Sequence, residues 1–565
     1  MLPWERLRDK LLTLEGKPYQ AYASLQGEYR FERYVLFLDS VAQDPAMPSL
    51  MRVRIDQAEA RFPQDLSSTR VRRVALEDFI ARRWHEVIRK VIRTQRGGRA
   101  AFGIEGGGQQ ILERSACRIA EDWIEIRGTI TWPSDGRKAA PKLAQAVVTE
   151  DLPQLVDGAL ISANQNPSAV SRHVHLAEDV EALRQQLQER SLVAFIADGA
   201  VLPRELTSDK PLLSHLVTWR SPPELRVTLT LPHRGSVSGM GVPRGITVIT
   251  GPPFSGRSTL LRALAWGVYT HLPGDGREFC GTVADAVVVT ADEGRRIEGV
   301  NLQPFITALP TGEDVTQYRA EHASLIISQS AALAETLEAG CSALLIDEDT
   351  SAPGLLAQDP LLRRLASGAS GPVVPLVDLL RPLYEEHGIS TVVVTSASSD
   401  YARIADTIIV MNGFHASVVT AQAKEAIAHE SGSSEARRRF GGIHHRVPLP
   451  ESVNQLRGRR LRPEMQGPRS VLLGRDAIDL TRLPQLVDSC QGRAAGAALV
   501  YAAEQGYVDG SRTVREILAV VDTDMAQKGL DVLVPLEAPG GDLARPRRQE
   551  IAAALNRLRT LRVKP

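Results

Sequence analysis

Residues 245–262 read Gly-Ile-Thr-Val-Ile-Thr-Gly-Pro-Pro-Phe-Ser-Gly-Arg-Ser-Thr-Leu-Leu-Arg. The opening six are a short apolar, β-branched run that predicts a buried strand, and the residues after Gly256 read as the start of a helix. Between them, Gly251-Pro-Pro-Phe-Ser-Gly256-Arg257-Ser258 has the spacing G-x-x-x-x-G-[K]-[S/T] of a phosphate-binding loop, with arginine where lysine is expected. Glycines let backbone N–H groups curl round a polyphosphate, and the following helix turns its positive dipole end toward it. On this pattern Gly251, Ser255, Gly256, Arg257, Ser258 and Thr259 are the nucleotide-binding residues, with Ser258 a ligand of Mg2+. A Gly-rich turn before a helix is common in proteins that bind nothing, so the loop alone does not decide the fold.

The second half of the pattern lies downstream. Ala343-Leu-Leu-Ile346 predicts another buried strand and ends in Asp347-Glu348. In this arrangement Asp347 is expected to hold Mg2+ through water, and Glu348 to polarise the attacking water as the catalytic residue. Across 225–425, apolar runs at 225–231, 245–250, 285–290, 342–347, 390–395 and 406–411 alternate with helical segments. That alternation predicts an α/β sheet with parallel strands and chemistry at their C-terminal ends.

Outside this core the chain reads differently. Residues 1–155 mix a short amphipathic helix with alternating strand-like runs at 34–39 and 123–127, an α+β domain. A helical segment over 174–190 and the run 192–196 lead into the core, which is assigned 156–430. An Arg-rich linker is expected over 431–475 and amphipathic helices over 476–565. Charge is local rather than global. The 565 residues carry 67 basic and 67 acidic side chains, which excludes nucleic-acid binding by bulk positive charge. Residues 70–99, however, hold ten basic against three acidic residues, and 434–475 hold ten arginines against three glutamates. These segments suggest RNA or single-stranded nucleic acid as a partner, although they interleave only Trp84 and Phe440 as aromatics.

The length suits about three or four domains. Cys117, Cys280, Cys341 and Cys490 lie far apart without a Cys-x-x-Cys pair, which argues against a disulfide framework or a zinc site and fits a reducing compartment. His444-His445, His173 and His175 have no supporting Cys or carboxylate cluster and read as linker and helix start. The charged N-terminus and the lack of any run of about 18 apolar residues predict a cytoplasmic protein with no membrane segment.

The chain resembles the family called predicted ATPases of the ABC class over nearly its whole length. The resemblance is carried by Gly16-Lys-Pro-Tyr19, Asp44-Pro-Ala-Met-Pro-Ser49 and Gly108-Gln-Gln-Ile-Leu-Glu-Arg-Ser115 near the N-terminus. In the core it is carried by Ser238-Gly-Met-Gly-Val-Pro243, Glu293-Gly-Arg295 and, most specifically, Leu344-Leu-Ile-Asp-Glu-Asp-Thr-Ser-Ala352, and beyond it by Ala544-Arg-Pro-Arg547 and Glu550 to Arg559. It implies an ABC-type P-loop core, flanked by an α+β N-terminal and a mainly helical C-terminal domain, that binds ATP and Mg2+ and pairs as a homodimer through its nucleotide cores. Three positions depart from the family: Ser324-Leu-Ile-Ile327 stands where a Ser-Gly-Gly-Gln element is expected, Ser396 stands where related proteins have a switch histidine, and Arg257 replaces the lysine. Two readings follow. One is an ATP-binding, slowly hydrolysing ATPase that couples nucleotide state to a partner such as RNA. The other is a nucleotide-stabilised scaffold that binds proteins with little or no catalysis.

Overall fold

The computed structural model describes residues 1–94, 101–205, 208–214, 217–358, 371–396, 399–428, 438–453, 461–535, 538 and 540–565. Arg96, Arg99, Arg437, Arg457, Arg459 and Arg460 of the two basic segments lie outside them. The chain divides into two compact units: Met1–Glu178 with Lys528–Arg545, and Asp179–Gln527 with Pro546–Pro565.

The first unit is built on a seven-stranded sheet in the order Leu2–Pro3, Gly27–Arg30, Tyr34–Ser40, Ser49–Asp56, Trp123–Thr131, Ala101–Gly103, with Cys117–Ile119 also paired to Trp123–Thr131. Strict alternation makes Ser49–Asp56 two-faced: Met51, Val53 and Ile55 are buried, while Arg52 and Arg54 point the other way. The helix Arg70–Thr94 packs against the helix Leu152–Leu160. Gly158 permits the close approach, since a Cβ there would sit 2.9 Å from Val87 Cγ2. Its mix of sheet and helices is of the α+β class expected for the N-terminal part of the chain.

Much of the basic character of Arg70–Thr94 is consumed inside the unit. Arg70 pairs with Glu113, Arg72 with Glu178 at 2.7 Å, Arg82 with Asp78 at 2.6 Å and Arg83 with Glu86 at 2.9 Å. Burial works against the charge of Asp78, but Arg82 and His173 overcome it and hold the carboxyl well below the usual carboxylate range. Glu113 and Glu178 are far away in sequence, so a local charge count misses them. The segment Lys528–Arg545 joins the unit through Asp531, whose carboxylate accepts two bonds from Arg127 at 2.6 and 2.9 Å.

The second unit holds two main sheets. A six-stranded sheet has the order Val287–Val288, Ala343–Asp347, Ser390–Val394, Ile246–Thr250, Thr407–Asn412, His415–Val418; the first five are parallel and the last is an antiparallel hairpin partner. A second, antiparallel sheet orders Arg226–Leu231, Gly235–Pro243, Leu192–Ala197 and Cys280–Thr282. The run at 225–231, expected in the parallel sheet, is therefore corrected to an edge strand of this one. Its connection to Gly235–Pro243 is only three residues long, which permits an antiparallel hairpin and no parallel crossover.

The C-terminal elements of this unit are mainly helical, with Ser489–Glu504, Val514–Lys528 and Arg548–Asn556, plus a three-stranded meander of Pro463–Met465, Ser470–Leu473 and Asp476–Asp479. Small residues let the meander lie on Ser489–Glu504: a Cβ on Gly496 would meet Val471 Cγ1 at 2.8 Å. The edge of the parallel sheet is closed by Gln485, which accepts from Val288 N at 2.9 Å and donates to the carbonyls of Ala265 and Ala286.

The stretch 431–475, a linker by composition, is in its described part bound to the core. Phe440 is buried, and Arg446, 3 % exposed, lies on Glu338 and donates to Glu298 O at 2.9 Å and Asn556 Oδ1 at 2.7 Å. Arg446→Ala leaves Glu338 buried without its counter-charge. The expected loss is about 3–5 kcal/mol, read as a lower midpoint in urea unfolding. An unchanged midpoint would mean that the pair adds nothing to stability.

Candidate functional site

The parallel strands bring their C-terminal ends to one level. Asp347 lies beside Val394, and Val394 beside Ile249 of the strand that feeds the loop. Asp347 and the loop strand are therefore two strand spacings apart, about 10 Å. The loop and the start of the helix after it bring Ser258 and Arg257 near Asp347.

Two glycines make that fold possible. Gly251 has φ +142°, and a Cβ there would lie 2.2 Å from the backbone oxygen of Met411. Gly256 has φ +98° and is covered by the ring of Phe414, 2.9 Å from where its Cβ would be. No other residue type fits either position without moving backbone or ring. Phe254, at the loop's tip, also has a left-handed backbone at φ +62°.

Directly after Gly256 the helix Arg257–Trp266 begins, with no side chain capping its first N–H groups. Those groups are free to meet an anion. Ser255 is 3 % exposed, and its hydroxyl has no hydrogen-bond partner among the described residues. The Arg257 guanidinium makes no hydrogen bond to a described residue, and its charge bears on Asp347. The Ser258 hydroxyl lies close enough to the Asp347 carboxylate to favour its charged form. Thr259 is half-buried in the first helical turn.

Asp347 is pushed above the usual carboxylate range, chiefly by burial; the Asp349 amide, the Ser258 hydroxyl and Arg257 oppose the shift without cancelling it. A half-buried carboxylate short of compensating charge, near a hydroxyl and within the electrostatic reach of an unbonded guanidinium, is an arrangement that a divalent cation with a polyphosphate would complete. The curled loop, the orphaned Ser255 hydroxyl and the uncapped helix start fit the same group.

Glu348 follows on a short 3-10 turn, and its Oε2 accepts from Ser396 N at 2.7 Å and Ser396 Oγ at 3.3 Å. Sequence reading placed Ser396 at a switch position but not on this carboxylate. Gln329 was missed altogether. Fully buried, it donates to Ser351 Oγ at 2.8 Å and accepts from Ala352 N at 2.7 Å, pinning the turn that follows Asp347-Glu348. A buried glutamine four residues into an apolar helix gives no local signal. Ser324 begins the helix Leu325–Ala339, and Leu325 is 40 % exposed.

Comparison with known proteins finds three matching stretches along the chain. Residues 166–446 match the ABC-ATPase P-loop domain, residues 4–163 the N-terminal domain of ATPases of the ABC class, and residues 463–564 the MRB1590 C-terminal domain. The chain belongs to the ATPases of the ABC class. Among curated proteins it is 27 % identical over 229 residues to the uncharacterized protein MJ1628 of Methanocaldococcus jannaschii, covering 39 % of this chain and 49 % of that one. It is 28 % identical over 197 residues to protein STAR1 of Oryza sativa subsp. japonica, covering 30 % and 52 %. The chain spans about half the length of the curated relatives it matches.

Among solved structures, cbiO1 of Clostridium perfringens, part of the ABC transporter complex cbiONQ, is 14 % identical with a TM-score of 0.25 over 42 % of this chain and 92 % of that one. A bacterial Atm1-family ABC exporter with ATP bound is 14 % identical with a TM-score of 0.23 over 52 % of each chain. No helix among the described residues is long and apolar enough to cross a membrane.

The raised Asp347 sets a pH dependence. Its charged form is what a cation needs, and the shift means that Asp347 takes up its proton at a higher pH than an exposed aspartate does. Mg2+ affinity in the presence of ATP should therefore fall on acidification before ordinary carboxylates titrate. Asp347→Asn should remove that fall along with most of the affinity. Mg2+ titrations by calorimetry across pH 4–7 check both, and a flat wild-type profile would contradict them.

Proposed function

We propose that the chain binds ATP with Mg2+ at the loop 251–259 and hydrolyses it slowly, in the cytoplasm and as a homodimer joined through the nucleotide cores. The observation that carries this reading is the loop curled by Gly251 and Gly256 into an uncapped helix start, with the buried Ser255 hydroxyl unpartnered among the described residues and Ser258 and Arg257 near Asp347. The amides of the loop from Gly251 to Gly256 and the start of the helix take the phosphate oxygens, with Ser255 and Thr259 adding hydroxyls. Arg257 takes the β- and γ-phosphates as a planar fork, broader than the point charge of a lysine. Ser258 and Asp347 hold Mg2+, which when bound offsets the charge of the phosphates.

Glu348, the carboxylate next in line, accepts the proton of the attacking water. In the observed geometry Ser396 holds the Oε2 of that carboxylate, which orients it and leaves Oε1 to accept. Arg257 in place of lysine and Ser324-Leu-Ile-Ile327 in place of a Ser-Gly-Gly-Gln element favour the second reading, a nucleotide-stabilised scaffold for protein partners. Turnover separates the two. Wild type should be thermally stabilised by Mg2+ and ATP as RT ln(1 + [ATP]/Kd), with turnover below about 10 per second. Glu348→Gln should keep the stabilisation and abolish turnover, and light scattering on the same samples reads the dimer. No thermal shift at millimolar ATP would sink the nucleotide reading.

RNA or single-stranded nucleic acid is the partner proposed for the ATPase reading. Arg70, Arg72, Arg82 and Arg83 are already paired, which leaves Arg73 and Arg89 exposed in the first basic segment and directs the test to the second. There Arg438 and Arg439 are exposed, just before Phe440 and Gly441, whose amides are tied to Glu386 at 3.0 Å each. Replacing Arg438 and Arg439 by alanine should weaken RNA binding and flatten the plot of log affinity against log salt by about 1.4, roughly 0.7 per lost phosphate contact. Filter binding across salt checks it, and unchanged binding would leave these arginines as a solvated face.

A further inference from the structure

Among the phenylalanines of the second unit, the exposed ones are Phe254 and Phe414, at 97 % and 51 %. Both lie at the phosphate loop, and both have left-handed backbone, φ +62° and +68°, which is disfavoured for a bulky side chain. They differ in support. Phe254 is almost wholly in solvent. Phe414 stands at the tip of the hairpin between Thr407–Asn412 and His415–Val418, and its amide donates to Ser255 O at 3.2 Å. Its ring rests on Gly256 of the loop, while half of the residue remains open.

Sheet order supplies a direction. Asp347 ends a strand two places to one side of the loop strand, and Thr407–Asn412 is the loop strand's neighbour on the other side. A nucleotide whose terminal phosphate is beside Ser258 and Asp347 leads its sugar and base away from Asp347. That route passes over the hairpin that carries Phe414. The antiparallel strands upstream of the loop offer no phenylalanine, tyrosine or tryptophan over 226–243, only His233 in the hairpin turn, and Trp219 is 3 % exposed.

We propose that Phe414 is the platform on which the base of the bound nucleotide stacks. The inference rests on the phosphate reading of loop 251–259 and adds a division of labour. The loop recognises the phosphates whatever they are attached to, and the ring recognises the base. Stacking tolerates any base and strengthens with overlapping area, so a purine is held better than a pyrimidine. The left-handed turn at Gly413-Phe414 is then the means by which the ring is laid against Gly256 with its other side open.

The test titrates the full chain with ATP, UTP and inorganic tripolyphosphate, each with Mg2+, using wild type, Phe414→Leu and Phe414→Trp. Tripolyphosphate has the phosphates and no base, so it reports on the loop alone. Phe414→Leu should weaken ATP about tenfold or more, narrow the preference for ATP over UTP, and leave tripolyphosphate unchanged. Phe414→Trp should keep the affinity for ATP. Equal losses for ATP and tripolyphosphate in Phe414→Leu would show that the ring only props Gly256, and unchanged ATP affinity would show that it does not touch the base; either overturns the platform. Wild type that takes neither ATP nor tripolyphosphate would overturn the phosphate reading itself.

Discussion

A hydroxyl and a carboxylate, those of Ser258 and Asp347, come near one another at the C-terminal edge of the second unit's parallel sheet, and the loop, the hairpin and the strand order all bear on that approach. They start from strands that are not neighbours. The loop reaches across because Gly251 lies against the Met411 carbonyl and Gly256 under Phe414, so the hairpin on one side of the loop strand moulds the loop toward the carboxylate on the other. Asp347 is held where its charge is poorly compensated, as its upward shift shows. A cation would relieve that imbalance, which is the physical basis for proposing a binding site here rather than packing alone.

A second set of buried polar contacts extends outward from this centre. Gln329 holds the turn after Glu348, and Ser328, next to it, accepts from Asp292 N at 3.1 Å. Asp292 Oδ2 in turn accepts from Arg557 at 2.9 Å. At the far end of the same helix, Glu338 takes Arg446, which also reaches Asn556. The helix Leu325–Ala339 is thereby tied at its start to the carboxylate turn and along its length to the last helix of the chain. Buried pairs of this kind add little net stability over apolar packing, but breaking one partner out is expensive, so they favour a single arrangement of these elements.

The same accounting changes the meaning of the basic segments. Ten basic residues over 70–99 read as a stripe for a polyanion, yet in the fold Arg70 and Arg72 are taken by Glu113 and Glu178, which lie far along the chain. Arg446 is likewise a core residue inside a segment with the composition of a linker. Charge density in a sequence therefore gives an upper bound on the charge a partner meets, and the fold subtracts from it.

What the sequence by itself determined were the features whose cause is local. Apolar runs of five or six residues, glycines at set spacings and an aspartate closing a strand predict the parallel sheet, the loop and the carboxylate pair, since strand propensity, backbone freedom and strand ends are each encoded within a few residues. Tertiary structure alone decided the rest. It put 226–231 in an antiparallel sheet through a three-residue turn to Gly235–Pro243. It set Ser396 on Glu348 and Gln329 on Ser351, and laid Phe414 over a glycine more than 150 residues before it. These contacts join residues from different strands and loops, and no local pattern records them, because their partners are chosen by where the sheet's strand order delivers each chain end.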